Sequence, residues 1–193
     1  SIGMYDQYQY NDLDTDIRLN ISRDNNDFSL DFDGDSSNVY CGNDSSLSLT
    51  QQITIEGWVK PTAIDGWGAI MNKGYCCPQM GYYLGINPTG NALRWNIGIG
   101  QTDGDSLELG AWVHVAAVFD GSTMKTYQNG VQTASQGVSD TISFTTKILK
   151  LGSQDGDNYG LNGKLDDFRV WGTALTQAEI QEYMWTELNG SED

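Results

Sequence analysis

The chain has 193 residues, 38% of them hydrophobic, with 10 Tyr and 6 Trp, enough for one well-packed domain and short for two. Its 26 acidic and 10 basic residues give a formal net charge of −16; a field of that sign repels phosphate backbones and anionic lipid headgroups, so neither nucleic acid nor a membrane surface is an expected partner. The apolar runs, such as Trp112–Phe119, are strand-sized and far below the ~18 residues of a spanning helix, so no membrane insertion is expected.

Residues 1–27 are polar and rich in Asp, Asn and Tyr, and read as an N-terminal extension. Within it Asp16-Ile-Arg-Leu-Asn-Ile21 alternates and predicts an edge strand. From Phe28 onward short segments rich in Val, Ile, Trp, Tyr and Thr recur between Gly/Asn/Asp clusters, the pattern of antiparallel strands. Ile53-Thr-Ile-Glu-Gly-Trp-Val59 puts Ile53, Ile55 and Val59 on one face. Leu93, Trp95, Ile97 and Ile99 share a face, with Arg94 and Asn96 on the opposite one. Trp112-Val-His-Val-Ala-Ala-Val-Phe119 is apolar on both faces, as in a central strand. Asp120-Gly121 and Asn129-Gly130 are tight-turn dipeptides that tolerate positive φ, and Met124-Lys-Thr-Tyr-Gln128 between them reads as a strand. Near the end, Thr176-Gln-Ala-Glu179 has the form of a capping box. Ile180, Tyr183 and Met184 then follow at helical spacing, which predicts a short helix from about Gln177 to Trp185. The expected architecture is an all-β, two-sheet antiparallel sandwich with one C-terminal helix, spanning 28–188 and followed by a tail at 189–193.

Three cysteines, Cys41, Cys76 and Cys77, leave one thiol over if a single disulfide forms. Cys41 with either neighbour is the less strained pairing, because adjacent cysteines close only a tight ring. The single histidine, His114, lies in the most apolar strand and offers little from which to build a triad or a zinc site. Glycoside hydrolysis needs two carboxylates at a fixed separation; Glu56 stands alone on its strand, and Glu179 and Glu182 fall in the predicted helix. Catalysis is not expected.

The order of motifs from Phe28 to about Trp185 resembles a laminin-G-like jellyroll domain of the concanavalin-A-like lectin/glucanase superfamily. The resemblance rests on Leu30-Asp-Phe-Asp-Gly34 with Val39 and on Ile53-Thr-Ile-Glu-Gly-Trp-Val-Lys-Pro61. It continues through Ile70-Met-Asn-Lys-Gly74 with Gly81-Tyr-Tyr-Leu84, then Trp112-Val-His-Val-Ala, Asp120-Gly121 and Tyr127-Gln-Asn-Gly130. Gly163-Lys-Leu-Asp-Asp-Phe-Arg-Val-Trp171 completes it. It implies a jellyroll of the kind found as a module of larger secreted or cell-surface proteins, binding a polysaccharide or oligosaccharide. A protein-binding adhesion module is the alternative this fold also serves.

The resemblance also implies a structural Ca²⁺ joining the opening strand to the Asp-Asp strand near the end, held by Asp33 or Asp35 with Asp166 or Asp167. The residues themselves agree that far: Asp31, Asp33 and Asp35 alternate around Gly34, and hard cations take carboxylate and carbonyl oxygens. Sugar recognition needs an aromatic face and planar polar groups. Trp67 in Asp65-Gly-Trp-Gly68, Tyr75 before Cys76-Cys77-Pro78, and Asn158-Tyr159 after Asp155-Gly-Asp157 supply these in loops, and Arg94 and Asn96 supply them on a sheet face. Trp58, Trp95, Trp112 and Trp171 lie in strands and are expected in the core or covering a sheet.

Overall fold

A computed structural model describes residues 29–64, 66–75, 80–154 and 159–186. Within them the alternating segments form two six-stranded antiparallel sheets. The first runs in the order β1 (Leu30–Asp33), β12 (Asn162–Trp171), β3 (Ile53–Ala63), β8 (Val113–Phe119), β9 (Thr123–Gln128), β10 (Val131–Gly137). The second runs β2 (Val39–Tyr40), β11 (Lys150–Leu151), β4 (Gly68–Tyr75), β5 (Met80–Asn87), β6 (Ala92–Asn96), β7 (Gln101–Ser106). Most of the second sheet is a meander, β4 to β7, which places residues close in sequence side by side on one face. The expected edge strand at Asp16–Ile21 lies outside the described residues.

The core fills the space between the sheets. Ile53, Ile55 and Val59 of β3 meet Leu84, Ile86, Leu93 and Trp95 of the second sheet, all fully buried. Strand β8 is buried along its whole length for two different reasons. Val115, Ala117 and Phe119 face this core, whereas Ala116 and Val118 face outward onto Tyr127, Leu175 and Ile180. That second apolar layer is the footprint of the helix α1 (Gln177–Tyr183), so the two-faced hydrophobicity of Trp112–Phe119 reflects a strand covered on both sides.

Helix α1 starts at the predicted place. Thr176 caps Glu179 N–H while the Glu179 carboxylate accepts from the Thr176 N–H at 2.7 Å. It ends at Tyr183 because its last carbonyls are claimed by the sheet beneath. Arg169 Nη1 donates to the Tyr183 carbonyl at 2.7 Å, and Trp58 Nε1 donates to that of Met184 at 3.0 Å. Trp171 stacks on Tyr183 with centroids 5.2 Å apart. Under this strap lies Glu56, fully buried, accepting from Trp171 Nε1 at 3.0 Å with Arg169 Nη1 and His114 Nε2 each 3.8 Å from its carboxylate. Burial pushes the Glu56 carboxyl up from its ordinary pKa, with Trp171 and Arg169 opposing. His114 is a packed strand residue, edge-on to Trp58. The strap covers the outer face of the first sheet, and α1 makes no part of the second.

The turns follow their residue chemistry. Asn129 and Gly130 adopt φ of 49° and 73° between β9 and β10, the doubly positive conformation of a primed hairpin turn. Gly57 is required by packing: a Cβ there would lie 2.5 Å from the Phe168 ring.

Candidate functional site

The outer face of the second sheet carries the polar and aromatic residues that alternation turns away from the core. At its centre, register aligns Ala69 of β4, Gly85 of β5, Arg94 of β6 and Asp103 of β7. Gly85 has no side chain to stand between β4 and β6. Arg94 therefore reaches across it and lays its guanidinium 4.7 Å from the centroid of Trp67, the residue preceding β4. On its other flank Arg94 is held by a two-point pair to Asp103, Nε to Oδ1 at 2.7 Å and Nη2 to Oδ2 at 2.6 Å. Asn87 Nδ2 adds a third bond to the same carboxylate at 3.1 Å. The Arg94 guanidinium holds the Asp103 carboxyl below its usual range, and Asp103 raises Arg94 in return.

Tyr83 completes the centre. Its ring folds over Gly85, where a Cβ would lie 2.1 Å from the phenol oxygen. That hydroxyl has no hydrogen-bond partner among the described residues, and burial pushes its pKa up, so it stays protonated. Tyr159, 40% exposed, borders this region, because its carbonyl accepts from Ala69 N–H at 3.1 Å, two residues from Trp67.

The structure thus brings together three of the six residues expected to contact a ligand: Trp67, Arg94 and Tyr159. Trp67 is half-buried under Arg94 instead of projecting freely. Arg94 is already neutralised by Asp103. Asn96 is buried, its Oδ1 accepting from Gly98 N–H at 2.8 Å, so it holds the β6–β7 turn. Tyr75 ends β4, seven residues beyond Gly68 and roughly 23 Å along the strand. Asn158 lies outside the described residues, as do Cys76 and Cys77, while Cys41 is an exposed free thiol. Asp103, Asn87 and Tyr83 escaped the sequence reading. The first was recoverable: a hairpin turning at Ile97–Gly100, closed by Ile97 N–H to the Gly100 carbonyl, puts Asp103 opposite Arg94.

Calcium is expected between Asp33 or Asp35, at the end of β1 and just after it, and Asp166 or Asp167 of β12. Asp33 pairs with Asn162, four residues along β12 from Asp166 and roughly 13 Å away by strand rise. Asp33 Oδ1 accepts the N–H groups of Asp35, Ser36 and Ser37, each at 3.0 Å, and the Ser37 and Asp35 amides hold its carboxyl well below the usual range. That is a turn cap. Asp31 pairs with Lys164 at 2.7 Å, Asp35 is exposed, and Asp166 Oδ1 accepts from Asp167 N–H at 2.9 Å. Among the described residues no group of three or more His, Cys, Asp or Glu is placed to hold a metal ion.

Two shallow clefts of about 460 Å³ lie elsewhere, one along Ser48–Gln52 with Asp120, the other between Ile99–Gln101 and Gln136–Asp140. Neither has an aromatic side chain in its wall.

Comparison with known proteins agrees with this architecture. Residues 14–181 match the laminin-G-type model of the concanavalin A-like lectin/glucanases superfamily. Domain 4 of AbnA, a GH43 extracellular arabinanase from Geobacillus stearothermophilus solved with arabinotriose, superposes with a TM-score of 0.62 at 22% identity, over 80% of this chain and 75% of that one. A proposed carbohydrate-binding protein of Bacteroides ovatus superposes with a TM-score of 0.64 at 17% identity, over 84% of this chain and 48% of that one. At such identities the likeness is one of fold. Mouse pappalysin-1 is 38% identical over 82 residues, which are 40% of this chain and 5% of the relative. This chain therefore matches about a twentieth of that protein's length.

Proposed function

This chain belongs to the concanavalin A-like lectin/glucanases superfamily, and we propose that it is a non-catalytic carbohydrate-binding module of a secreted or cell-surface protein that acts on polysaccharide. The observation that carries the reading is the Trp67–Arg94–Asp103 arrangement on the outer face of the second sheet, with half-exposed Tyr159 beside it. The part of the indole that Arg94 leaves uncovered is fixed in orientation and offers a flat apolar surface to the C–H side of a sugar ring at little entropic cost. The forked groups of Arg94, Asp103 and Asn87 suit adjacent hydroxyls. The groups that would serve hydrolysis have structural posts instead: Glu56 is enclosed under the C-terminal strap, Glu179 closes the capping box, and His114 is buried against Trp58.

A glycan array followed by calorimetry tests this. Trp67→Ala should cost about 1–3 kcal/mol of binding free energy, by analogy with base–aromatic stacking, while Trp67→Phe should retain part of it. An unchanged dissociation constant in Trp67→Ala, or no binding to any neutral glycan, overturns the proposal.

A further inference from the structure

On the same outer face, register aligns a second row across all six strands: Tyr40, Lys150, Asn72, Tyr83, Asn96 and Gln101. Its far end repeats the chemistry of the Trp67–Arg94 pair. Tyr40 is 64% exposed on edge strand β2, and Lys150 Nζ sits 5.3 Å from its ring centroid. Val39, the preceding residue, packs against the core, so alternation turns the Tyr40 ring onto the outer face. We infer that the binding surface is a track lying across the strands, with Tyr40–Lys150 as a second aromatic platform, and that it takes an extended, neutral oligosaccharide. This rests on the carbohydrate-binding reading and adds to it the length and charge of the ligand.

Length follows from strand geometry. Two strand-to-strand steps separate β2 from β4, and Trp67 lies five residues before Asn72 of the row, so the two aromatic platforms are roughly 15–20 Å apart by backbone geometry. A single sugar cannot touch both. Charge follows from pairing: Arg94 is matched by Asp103, Lys150 lies on the Tyr40 ring, and Asn72, Tyr83, Asn96 and Gln101 are uncharged. Asn72 and Asn96 are buried beneath the row, whereas Gln101 is exposed. An uncharged surface with the exposed amide of Gln101 along it, between two flat rings, suits a polyhydroxylated chain. Among the described residues of this row the one cation, Lys150, stands at the far end against Tyr40, so the middle of the row offers no charge to recruit an acidic chain.

The test is calorimetry with ladders of neutral oligosaccharides, from one to six residues, in the xylo-, cello- and arabino- series. Wild type should tighten with chain length and level off once the chain spans both platforms. Tyr40→Ala, at an exposed position that leaves the core intact, should weaken the hexasaccharide about thirtyfold, the middle of the stacking range, and leave the disaccharide unchanged. Tyr40→Phe, which keeps the ring, should restore the hexasaccharide. Trp67→Ala should weaken both lengths. If Trp67→Ala weakens binding while Tyr40→Ala does not, or affects both lengths equally, the track is refuted and the single site survives. If Trp67→Ala has no effect, the carbohydrate reading itself fails.

Discussion

Replacing Asp103 by Asn keeps the shape of the platform and removes the charge that neutralises Arg94. The pair is two-point but only partly shielded, with side-chain exposures of 15% and 35%, so its loss should cost at most about 1 kcal/mol of stability, roughly 2–4 °C in Tm for a chain of this length. The larger effect is on ligand charge. A freed guanidinium about 4 Å from a sugar carboxylate gains about 1 kcal/mol in a water-like dielectric, roughly a fivefold tighter dissociation constant. Asp103→Asn should therefore bind a uronic-acid oligosaccharide about fivefold more tightly than wild type at 50 mM NaCl. The gain should shrink to about twofold at 500 mM, where screening shortens to roughly 4 Å, and neutral oligosaccharides should show no such salt-dependent gain. Acidification offers an independent route. The Asp103 pKa is lowered in the fold, so its stabilising pair is complete above the ordinary carboxylate pKa and is lost as pH falls through the lowered one. Calorimetry at two salt concentrations decides the matter. If wild type already binds the acidic oligosaccharide with strong salt dependence, or if Asp103→Asn gains nothing, Arg94 is not neutralised in the way its geometry implies.

Glu56→Gln should raise Tm at pH 8. The Glu56 pKa is raised by burial, so the folded state loses stability as pH climbs from the ordinary carboxylate pKa through the raised one. The advantage should shrink on acidification, and a gap that stays constant across the pH range would refute it. Asp33→Asn weakens a turn cap and should lower Tm equally in EDTA and in millimolar CaCl₂; a loss confined to calcium would place an ion at Asp33. Gly57→Ala forces a methyl against the Phe168 ring and should cost about 1–3 kcal/mol, visible as a fall in the chemical denaturation midpoint with an unchanged slope.

What the sequence determined by itself was everything that local physics decides. Alternation in Ile53–Val59 and Leu93–Ile97 sorted core from surface because successive strand residues point to opposite faces. The Asn129-Gly130 turn and the Thr176–Glu179 capping box followed from backbone preferences acting within four residues. Those segments sufficed for a two-sheet sandwich with one terminal helix, and they turned Arg94 outward. The tertiary structure decided which outward residues meet. Arg94 reaches Trp67 only because register sets Gly85 between them, a coincidence of three strands. Register also sets Asp33 opposite Asn162, four residues along β12 from Asp166. Glu56 stands alone on its strand in the sequence, and it is the strap running on from Thr173 that encloses it. In each case the deciding contact joins residues many positions apart. Its geometry depends on pairing offset and layer packing, which no local pattern of residues encodes.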